Sequence, residues 1–184
     1  MEIRVAKTAG FCFGVNRAVE LTYGLLAEGR KVATLGPLIH NPQAVEDMQR
    51  RGALVADTVE DIPAGYEVVI RSHGVPCSVY DALAARGVRY HDATCPFVQK
   101  IQRIAEQAEK ENAVLLVAGD KTHPEVQGIV GHTRGEVFVF ADLDELRAWK
   151  GPSDPQKPLF AVAQTTFQVT KWQESSEFLK KAYT

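Results

Sequence analysis

Two cysteines occupy positions where a predicted strand ends and a predicted helix begins. Cys12 lies in the segment AGFCFGVNRAV, and Cys95 lies in DATCPFVQK. Backbone N–H groups and the positive end of a helix dipole stabilise a thiolate at such a position, and the thiolate is the form of cysteine that binds metals. We therefore predict that Cys12 and Cys95 are metal ligands. The alternative for each is burial as a small apolar side chain. Cys77, in HGVPCSVY, is interpreted as a surface thiol.

An internal repeat links the two cysteines. Four pairs of positions are separated by the same 83 residues: Cys12 and Cys95, Gly36 and Gly119, His40 and His123, and the dipeptides Arg51-Gly52 and Arg134-Gly135. After a small insertion, the segment VVIRSHG with His73 aligns with AVAQTTF with Thr165. Each repeat therefore supplies one cysteine and two polar groups at predicted strand ends. Ligands bind beyond the carboxyl ends of parallel strands, so we expect the two sets to converge on one cleft.

Three histidines lie in loops that follow predicted strands and precede predicted helices: His40, His73 and His123. Backbone N–H groups and helix dipoles at such positions favour an anion, so we predict that these imidazoles bind a diphosphate. Three imidazoles could instead bind zinc, and a single loop histidine could be solvated or cap a helix. His91, within a strand, and His132, near a helix end, are predicted to be structural.

A carboxylate and a hydroxyl complete the candidate site. Glu125 follows His123 in the first turn of a predicted helix, where it could complement the helix dipole or transfer a proton near the cleft. Thr165 and Thr166 end a predicted strand, where a hydroxyl could cap the next helix or bind a substrate hydroxyl. We predict the catalytic role for Glu125. The alignment of Thr165 with His73 favours the substrate-binding role for this threonine.

Strands and helices alternate along the chain. Short β-branched runs predict strands at residues 2–6, 31–36, 67–72, 88–93, 113–119, 136–140 and 158–164. Apolar residues at helical spacing predict helices at residues 14–29, 42–52, 76–87, 95–112, 123–132, 143–150 and 167–183. This alternation predicts an α/β protein of two repeated α/β/α domains with parallel sheets around a central cleft. The predicted domains are residues 1–93, with Cys12, His40 and His73, and residues 94–184, with Cys95, His123 and Thr165.

The repeat also predicts a unit that the sequence does not contain. The observed offsets place a third cysteine at about positions 178–187, and the sequence ends at Thr184. We therefore expect a third repeat to be absent and the chain to be a truncated form. Because two thiolates hold a metal cluster less securely than a full set of ligands, we expect oxygen or a chelator to strip it quickly. The isolated chain is therefore expected to hold no stable cluster and to show little or no reductase activity.

Composition excludes several classes of function. The chain has 184 residues and a formal net charge of −2 with acidic and basic residues interleaved, so it lacks the basic face that nucleic acid binding requires. No apolar run approaches the roughly 18 residues that cross a bilayer. Three cysteines without a secretion signal indicate reduced thiols. We predict a cytoplasmic protein with no nucleic acid and no membrane partner.

Six segments, in order along the chain, resemble the signature segments of the 4-hydroxy-3-methylbut-2-enyl diphosphate reductase family. They are AGFCFGVNRAV, LGPLIHNPQAV, IRSHGVP, DATCPFV, GDKTHPEVQGIVGH and AVAQTTF. The resemblance implies an iron–sulfur oxidoreductase of the non-mevalonate pathway of isoprenoid biosynthesis. Such an enzyme converts a small allylic diphosphate into isopentenyl diphosphate and dimethylallyl diphosphate by reductive dehydroxylation. The resemblance also implies ferredoxin or flavodoxin as the electron donor.

The resemblance further implies a 4Fe-4S cluster held by three cysteines, one per domain, with one iron open to the substrate hydroxyl. The roles implied for this chain are cluster ligation by Cys12 and Cys95, diphosphate binding by His40, His73 and His123, proton delivery by Glu125, and contact with the reacting hydroxyl by Thr165. The third cysteine of the family, and a serine–asparagine cluster that completes its diphosphate site, belong to a third domain that this sequence does not contain.

Two other functions remain open at the level of sequence. A non-catalytic two-domain fragment, or an anion-binding module without a stable cluster, would keep the fold and stay colourless after reconstitution with iron and sulfide. A zinc hydrolase that uses His40, His73 and His123 would contain zinc and would act without a reductant.

Overall fold

The computed structural model describes residues 3–4 and 9–183, and its internal contacts divide the chain into two units. Unit 1 contains the residues up to Ser72 together with Leu83–Cys95. Unit 2 contains His73–Ala82 together with the residues from Pro96 onward. The sequence predicts a domain boundary between residues 93 and 94. In the structure, residues 73–82 group with unit 2. They do so because this segment is hydrogen-bonded to a later loop of unit 2, as in the bond from the Cys77 N–H to the Gly131 carbonyl.

Unit 1 is built on a parallel sheet. Its strands are β1 (Val32–Leu35), β2 (Leu54–Ala56), β3 (Glu67–Ile70) and β4 (Tyr90–Asp92), and its first two helices are α1 (Phe13–Ala27) and α2 (Pro42–Arg50). Among the described residues the strand order is β2-β1-β3-β4, with every neighbouring pair parallel. Helix α3 (Cys77–Ala85) begins in the segment assigned to unit 2 and ends in the segment assigned to unit 1.

The apolar strands of unit 1 form its core. Val68, Val69 and Ile70 in β3 are fully buried, and Val69 belongs to a cluster that includes Ala18 and Leu25 of α1. A parallel strand that is covered on both faces has a continuous apolar sequence, which is why VVI carries no alternation. The sheet thus forms a rigid base from which the loops at its carboxyl edge project.

Unit 2 repeats this plan. Its strands are β5 (Val114–Ala118), β6 (Val137–Phe140) and β7 (Leu159–Ala163), and its helices are α4 (Pro96–Lys110), α5 (Pro124–Val130), α6 (Leu143–Ala148) and α7 (Val169–Tyr183). The strands are parallel in the order β6-β5-β7. All five residues of β5 are buried, as expected for the central strand of a covered sheet.

The internal repeat is visible in the topology and in matching hydrogen bonds. The order β2-β1-β3 in unit 1 corresponds to β6-β5-β7 in unit 2. Gly36, after β1, donates its N–H to the Ala56 carbonyl at 2.8 Å, and Gly119, after β5, donates to the Phe140 carbonyl at 2.8 Å. The prediction of two repeated parallel-sheet α/β units is therefore confirmed.

Most predicted elements are found, with ends shifted by a few residues. Strand β2 was not predicted, because its three residues are too few to display a periodic pattern. The strand predicted at residues 2–6 lies largely outside the described residues, and Ile3 and Arg4 are not in a strand. Within the part of the chain that the structure describes, none of the helices has the length and apolar character needed to cross a membrane.

Candidate functional site

Cys12 stands at the start of α1 in unit 1. It is the N-cap residue, and its carbonyl accepts the N–H of Asn16 at 2.9 Å. Its side chain makes no capping hydrogen bond and is exposed. The thiol is therefore accessible at the positive end of a 15-residue helix, where the dipole favours the thiolate.

Cys95 belongs to the same unit, and its sulfur lies against α1. A Cβ atom placed on Gly14 would be 2.7 Å from Cys95 Sγ, so only glycine allows this approach. The guanidinium of Arg17 donates to the Thr94 and Asp92 carbonyls, at 3.1 and 3.2 Å, and so fixes the chain before Cys95 to α1. The sulfur of Cys95 thus lies against a residue only two positions after Cys12.

His40 follows β1 in unit 1 and is exposed. It lies directly before Asn41, whose side chain caps α2 by accepting the Ala44 N–H at 3.0 Å. His40 and Asn41 line an open pocket of about 480 Å³ together with Pro42 at the first position of α2. His40 therefore projects from the carboxyl edge of the sheet of unit 1, as predicted from its place between strand and helix.

His73 and His123 lie together in unit 2, with their ring centroids 5.3 Å apart and the rings nearly perpendicular. His123 is the N-cap residue of α5, and its Nδ1 accepts the N–H of Glu125 at 3.1 Å. Because Nδ1 accepts this hydrogen bond, the proton of the neutral ring is on Nε2. The Nε2–H of His123 is a hydrogen-bond donor suited to an anion.

Glu125 and Thr165 form a buried pair in unit 2. Glu125 is 1% exposed, and its carboxylate accepts the Thr165 N–H at 2.6 Å with Oε1 and the Thr165 hydroxyl at 2.7 Å with Oε2. A buried carboxylate is stable only when its oxygens are hydrogen-bonded, and Thr165 satisfies both of them. The two residues for which catalytic roles were predicted are therefore in direct contact.

The strand end before Thr165 is held by a glutamine that the sequence analysis did not select. Gln164 accepts the Asp120 N–H at 3.2 Å and donates to the Thr166 hydroxyl at 2.7 Å. These bonds join the loop after β5 to the loop after β7, two neighbouring strands. Thr166 therefore orders this loop, and Gln164 and Thr166 both line a small pocket of about 230 Å³.

Arg71 is a second residue that the sequence analysis did not select. It follows β3, and its Nε is buried without a hydrogen-bond partner among the described residues. Burial lowers the pKa of its guanidinium from the usual value. A charged side chain directly after a buried apolar strand was the sequence signal that could have identified it. A half-buried cation whose buried Nε has no partner among the described residues, at the carboxyl edge of a parallel sheet, favours an anionic ligand.

The chain resembles known proteins over nearly its whole length. The family model described as LytB protein matches residues 3–184. A curated relative from Syntrophotalea carbinolica, named 4-hydroxy-3-methylbut-2-enyl diphosphate reductase, is 45% identical over 167 residues, covering 90% of this chain and 58% of the relative. A relative of the same name from Thermoanaerobacter sp. strain X514 is 39% identical over 184 residues, covering 98% of this chain and 62% of the relative.

Solved structures show the same fold. A structure of (E)-4-hydroxy-3-methyl-but-2-enyl diphosphate reductase matches with a TM-score of 0.82 and 36% identity, over 97% of this chain and 63% of the other. The corresponding reductase from Plasmodium falciparum matches with a TM-score of 0.87 over 96% of this chain and 55% of the other, and at 24% identity it supports the fold alone. The chain thus spans about 60% of the length of these curated relatives. From the match of the family model along the chain, we conclude that this protein belongs to the LytB protein family.

Proposed function

We propose that the residues of this chain serve the reaction for which its relatives are named, the reductive dehydroxylation of 4-hydroxy-3-methylbut-2-enyl diphosphate. The reaction replaces the hydroxyl group by hydrogen, consumes two electrons and two protons, and releases water. Its products are isopentenyl diphosphate and dimethylallyl diphosphate. The proposal extends to a cytoplasmic location and to ferredoxin or flavodoxin as the electron donor.

The observation that carries the proposal is the packing of the Cys95 sulfur against Gly14, two residues after the exposed thiol of Cys12. Both cysteines stand directly before a helix, and thiolates in such positions fit a 4Fe-4S cluster. When bound, the cluster supplies electrons singly at low potential and an iron that polarises the C–O bond. Two thiolates leave the other positions of the cluster to be occupied by other groups.

The imidazoles are proposed to bind the diphosphate. In the neutral ring of His123, Nδ1 accepts the Glu125 N–H and Nε2 carries the proton, and the ring of His73 lies beside it. His40 has the equivalent position in unit 1. We add Arg71 to this set, because its buried guanidinium lacks a partner at Nε among the described residues. Fixed donors of this kind hold negative charge without reorganisation.

Glu125 and Thr165 are proposed to handle the proton and the reacting hydroxyl. In the structure the Thr165 hydroxyl donates to Oε2 of Glu125 at 2.7 Å. For proton delivery, this hydroxyl turns toward the substrate oxygen and a protonated Glu125 donates to Oγ1, so that the carboxyl proton passes to Oγ1 as Oγ1 releases its own proton to the substrate oxygen. The bond from the Thr165 N–H to Oε1 holds the carboxyl group in place during this exchange. The pair therefore provides both a proton source and an oriented hydroxyl.

Anaerobic reconstitution with iron and sulfide tests the proposal. Under strictly anaerobic conditions and without a chelator, where a cluster held by two thiolates is not stripped, we expect the wild-type chain to gain visible absorbance together with bound iron and acid-labile sulfide. We expect Cys12→Ser and Cys95→Ser to lose all three. Cys77→Ser is the matched control and should keep the sulfide and the absorbance. Circular dichroism should show an intact fold in every variant, because Cys12 is exposed and Cys95 is not in the apolar core. A wild-type chain that stays colourless would favour an anion-binding module and contradict the proposed cluster.

A further inference from the structure

A second group of potential metal ligands lies in unit 2 and takes no part in the proposed reaction. It consists of Cys77 in α3, Glu106 in α4 and His132 after α5, whose ligand atoms all lie within 4.8 Å of one another. Cys77 Sγ is 3.4 Å from His132 Nδ1, and Glu106 Oε1 is 2.9 Å from the same nitrogen. Cys77 was predicted to be a surface thiol, but it is half-buried against these two side chains.

The other ring nitrogen of His132 fixes the orientation of the imidazole. Nε2 lies 3.1 Å from the Val75 carbonyl oxygen, which can only accept, so Nε2 carries a proton. An ionised Glu106 carboxylate can only accept, so in the metal-free protein its 2.9 Å contact with Nδ1 is a hydrogen bond from a proton on that nitrogen. A metal ion would replace this proton at Nδ1, on the side of the ring that faces Cys77 and Glu106. A histidine that binds a metal through one nitrogen and donates from the other to a backbone carbonyl is a recurrent arrangement in metalloproteins.

The backbone holds Cys77 and His132 together independently of their side chains. The Cys77 N–H donates to the Gly131 carbonyl at 3.1 Å. Pro76 packs so closely on Gly131 that a Cβ atom there would lie 2.4 Å from Pro76 Cβ. The chain before His132 is thus pressed against the chain before Cys77, and the two side chains are positioned before any ligand arrives.

The geometry does not suit a cysteine nucleophile. A histidine that activates a nucleophile contacts it with one nitrogen and its orienting carboxylate with the other. Here the thiol and the carboxylate both contact Nδ1 of His132. Burial, followed by the nearby charge of Glu106, also raises the pKa of the Cys77 thiol, which opposes a reactive thiolate in the absence of a cation.

We propose that Cys77 Sγ, His132 Nδ1 and the Glu106 carboxylate bind a divalent transition metal of the zinc class. Sulfur, imidazole and carboxylate are the donors that such metals combine. Bonds of about 2.3 Å to sulfur and about 2.05 Å to nitrogen in a tetrahedral site separate the two donors by about 3.6 Å, close to the observed 3.4 Å. Glu106 needs to withdraw by about half an ångström, since a tetrahedral nitrogen–oxygen separation is about 3.4 Å. Its side chain is 42% exposed and can do so.

The surroundings leave room for a fourth ligand and balance the charge. The three side chains line an open pocket of about 560 Å³ that Glu109, Lys110 and Arg134 also line. A thiolate and a carboxylate neutralise a divalent ion within the site, so the two cationic residues at the rim do not prevent binding. Three protein ligands and one open position is the arrangement of an accessible zinc site.

Cobalt(II) titration of the Cys12→Ser/Cys95→Ser double variant tests this site, because Cys77 is then the only thiol in the sequence. We expect one equivalent of cobalt to bind with a thiolate-to-cobalt charge-transfer band in the near ultraviolet. Adding zinc should displace the cobalt and remove the band. Absence of the band in the folded double variant, or its persistence after Cys77→Ser, would overturn the proposal.

Two substitutions in α4 distinguish metal ligation by Glu106 from an effect of the total negative charge of the pocket on metal affinity. In the same background, Glu106→Gln should weaken cobalt binding by roughly 10- to 100-fold, the range seen when a partner of a metal site is lost. Glu109→Gln removes an equal charge from the same pocket. The cobalt affinity of this variant should stay within about twofold of that of the Cys12→Ser/Cys95→Ser protein, since Glu109 is not a proposed ligand. Equal losses in the two variants would show a diffuse electrostatic effect and contradict ligation by Glu106. His132→Gln should abolish the band, and a band that survives this change in a folded protein would also contradict the site.

Discussion

The two repeats differ in the residue that caps the helix after the equivalent histidines, His40 in unit 1 and His123 in unit 2. In unit 2, His123 is itself the N-cap of α5, and its Nδ1 accepts a backbone N–H. In unit 1, Asn41 caps α2, and the equivalent His40 lies one position before the cap. The helix therefore begins one position later in unit 1, and the capping role belongs to an asparagine there and to the histidine in unit 2. The imidazole of unit 2 has a structural and a proposed binding role, whereas that of unit 1 is not needed as a cap.

The same comparison extends to the charged groups. Helix α5 has an acidic residue in its first turn, the buried Glu125, whereas α2 has none. Conversely, Cys12 and Cys95 both belong to unit 1. A repeated scaffold thus carries Cys12 and Cys95, the two thiols directly before a helix, in one unit and a buried carboxylate in the other. Function in such proteins depends on a few residues at strand ends and helix starts, while the sheet order stays the same.

The largest expected effect comes from filling the space beside Cys95 in unit 1. Gly14→Ala introduces a Cβ atom 2.7 Å from Sγ and 2.9 Å from Cβ of Cys95, so the thiol must move. We expect this variant to lose most of its capacity for iron and sulfide in anaerobic reconstitution. Gly24→Ala, in the same helix with open space around it, is the control, and it should load normally and gain about 0.5–1 kcal/mol in stability. Normal loading of Gly14→Ala would show that the position of Cys95 does not matter for the cluster.

Substitutions of His40 and His123 distinguish a role in diphosphate binding from a role in capping a helix. We expect His40→Ala and His123→Ala each to weaken the binding of inorganic diphosphate by roughly 1–3 kcal/mol in calorimetry, because each loses a charge-assisted hydrogen bond. Only His123→Ala should also lower the free energy of unfolding, by about 0.5–2 kcal/mol, because it removes the N-cap of α5.

His123→Asn sharpens this test, since asparagine is a good N-cap residue. This variant should recover the stability lost in His123→Ala without recovering diphosphate affinity. Diphosphate binding that is unchanged in all three histidine variants would remove these residues from the site. Equal destabilisation by His40→Ala and His123→Ala would contradict the difference in capping.

A threonine after a strand of unit 2 and a threonine within a strand of unit 1 should differ in their contribution to the free energy of unfolding. Thr165→Val removes the hydroxyl that donates to the buried Glu125 and should cost roughly 1.5–3 kcal/mol, the range for hydrogen bonds to charged groups. Thr34→Val in β1 removes a bond to the Gly36 carbonyl and should cost roughly 0.5–1.5 kcal/mol. Denaturant unfolding at neutral pH measures both values, and the reverse order would contradict a stronger hydrogen bond at Glu125 than at the Gly36 carbonyl.

The smallest effect is a pH dependence specific to unit 1. Hydrogen bonds from His91 and then from Arg30 lower the pKa of Glu67 at the start of β3. Because the folded-state pKa is depressed, the stabilisation is present above the unfolded value of about 4.3 and is lost as the pH falls through the folded value. Glu67→Gln should therefore be less stable than the wild type at pH 7 and approach it at pH 3. A stability difference that stays constant over this range would exclude the titration of Glu67 as its cause.

The fold could be largely predicted from the sequence because its signals are local. Continuous apolar runs such as VVI and AVLLVA identify covered parallel strands, and Pro42 and Pro124 mark the starts of α2 and α5. The strand β2 was missed, since three residues carry no periodicity. The internal repeat also related residues that are far apart in the sequence, which local patterns cannot do, because the constant offset places equivalent residues at equivalent strand ends.

The contacts of the candidate sites could not be predicted in the same way. Glu125 and Thr165 are 40 residues apart, and Cys77 and His132 are 55 apart, so no local pattern connects either pair. Arg71 was overlooked because its significance depends on burial without a partner, which only coordinates reveal. The capping role of His123 was considered only as an alternative, although the sequence distinguishes the two repeats: His123 stands directly before Pro124 in unit 2, whereas Asn41 stands between His40 and Pro42 in unit 1.

The most direct test of the proposed chemistry is the visible and electron paramagnetic resonance spectrum of the anaerobically reconstituted chain during titration with 4-hydroxy-3-methylbut-2-enyl diphosphate. We expect this compound to change the iron–sulfur spectrum, and we expect inorganic diphosphate at the same concentration to leave it unchanged, since only the former carries the hydroxyl that the proposed reaction removes. The spectral change should be lost in Cys12→Ser and Cys95→Ser and kept in Cys77→Ser. A reconstituted chain whose spectrum does not respond to the substrate, although calorimetry shows that the substrate binds, would contradict the proposed function.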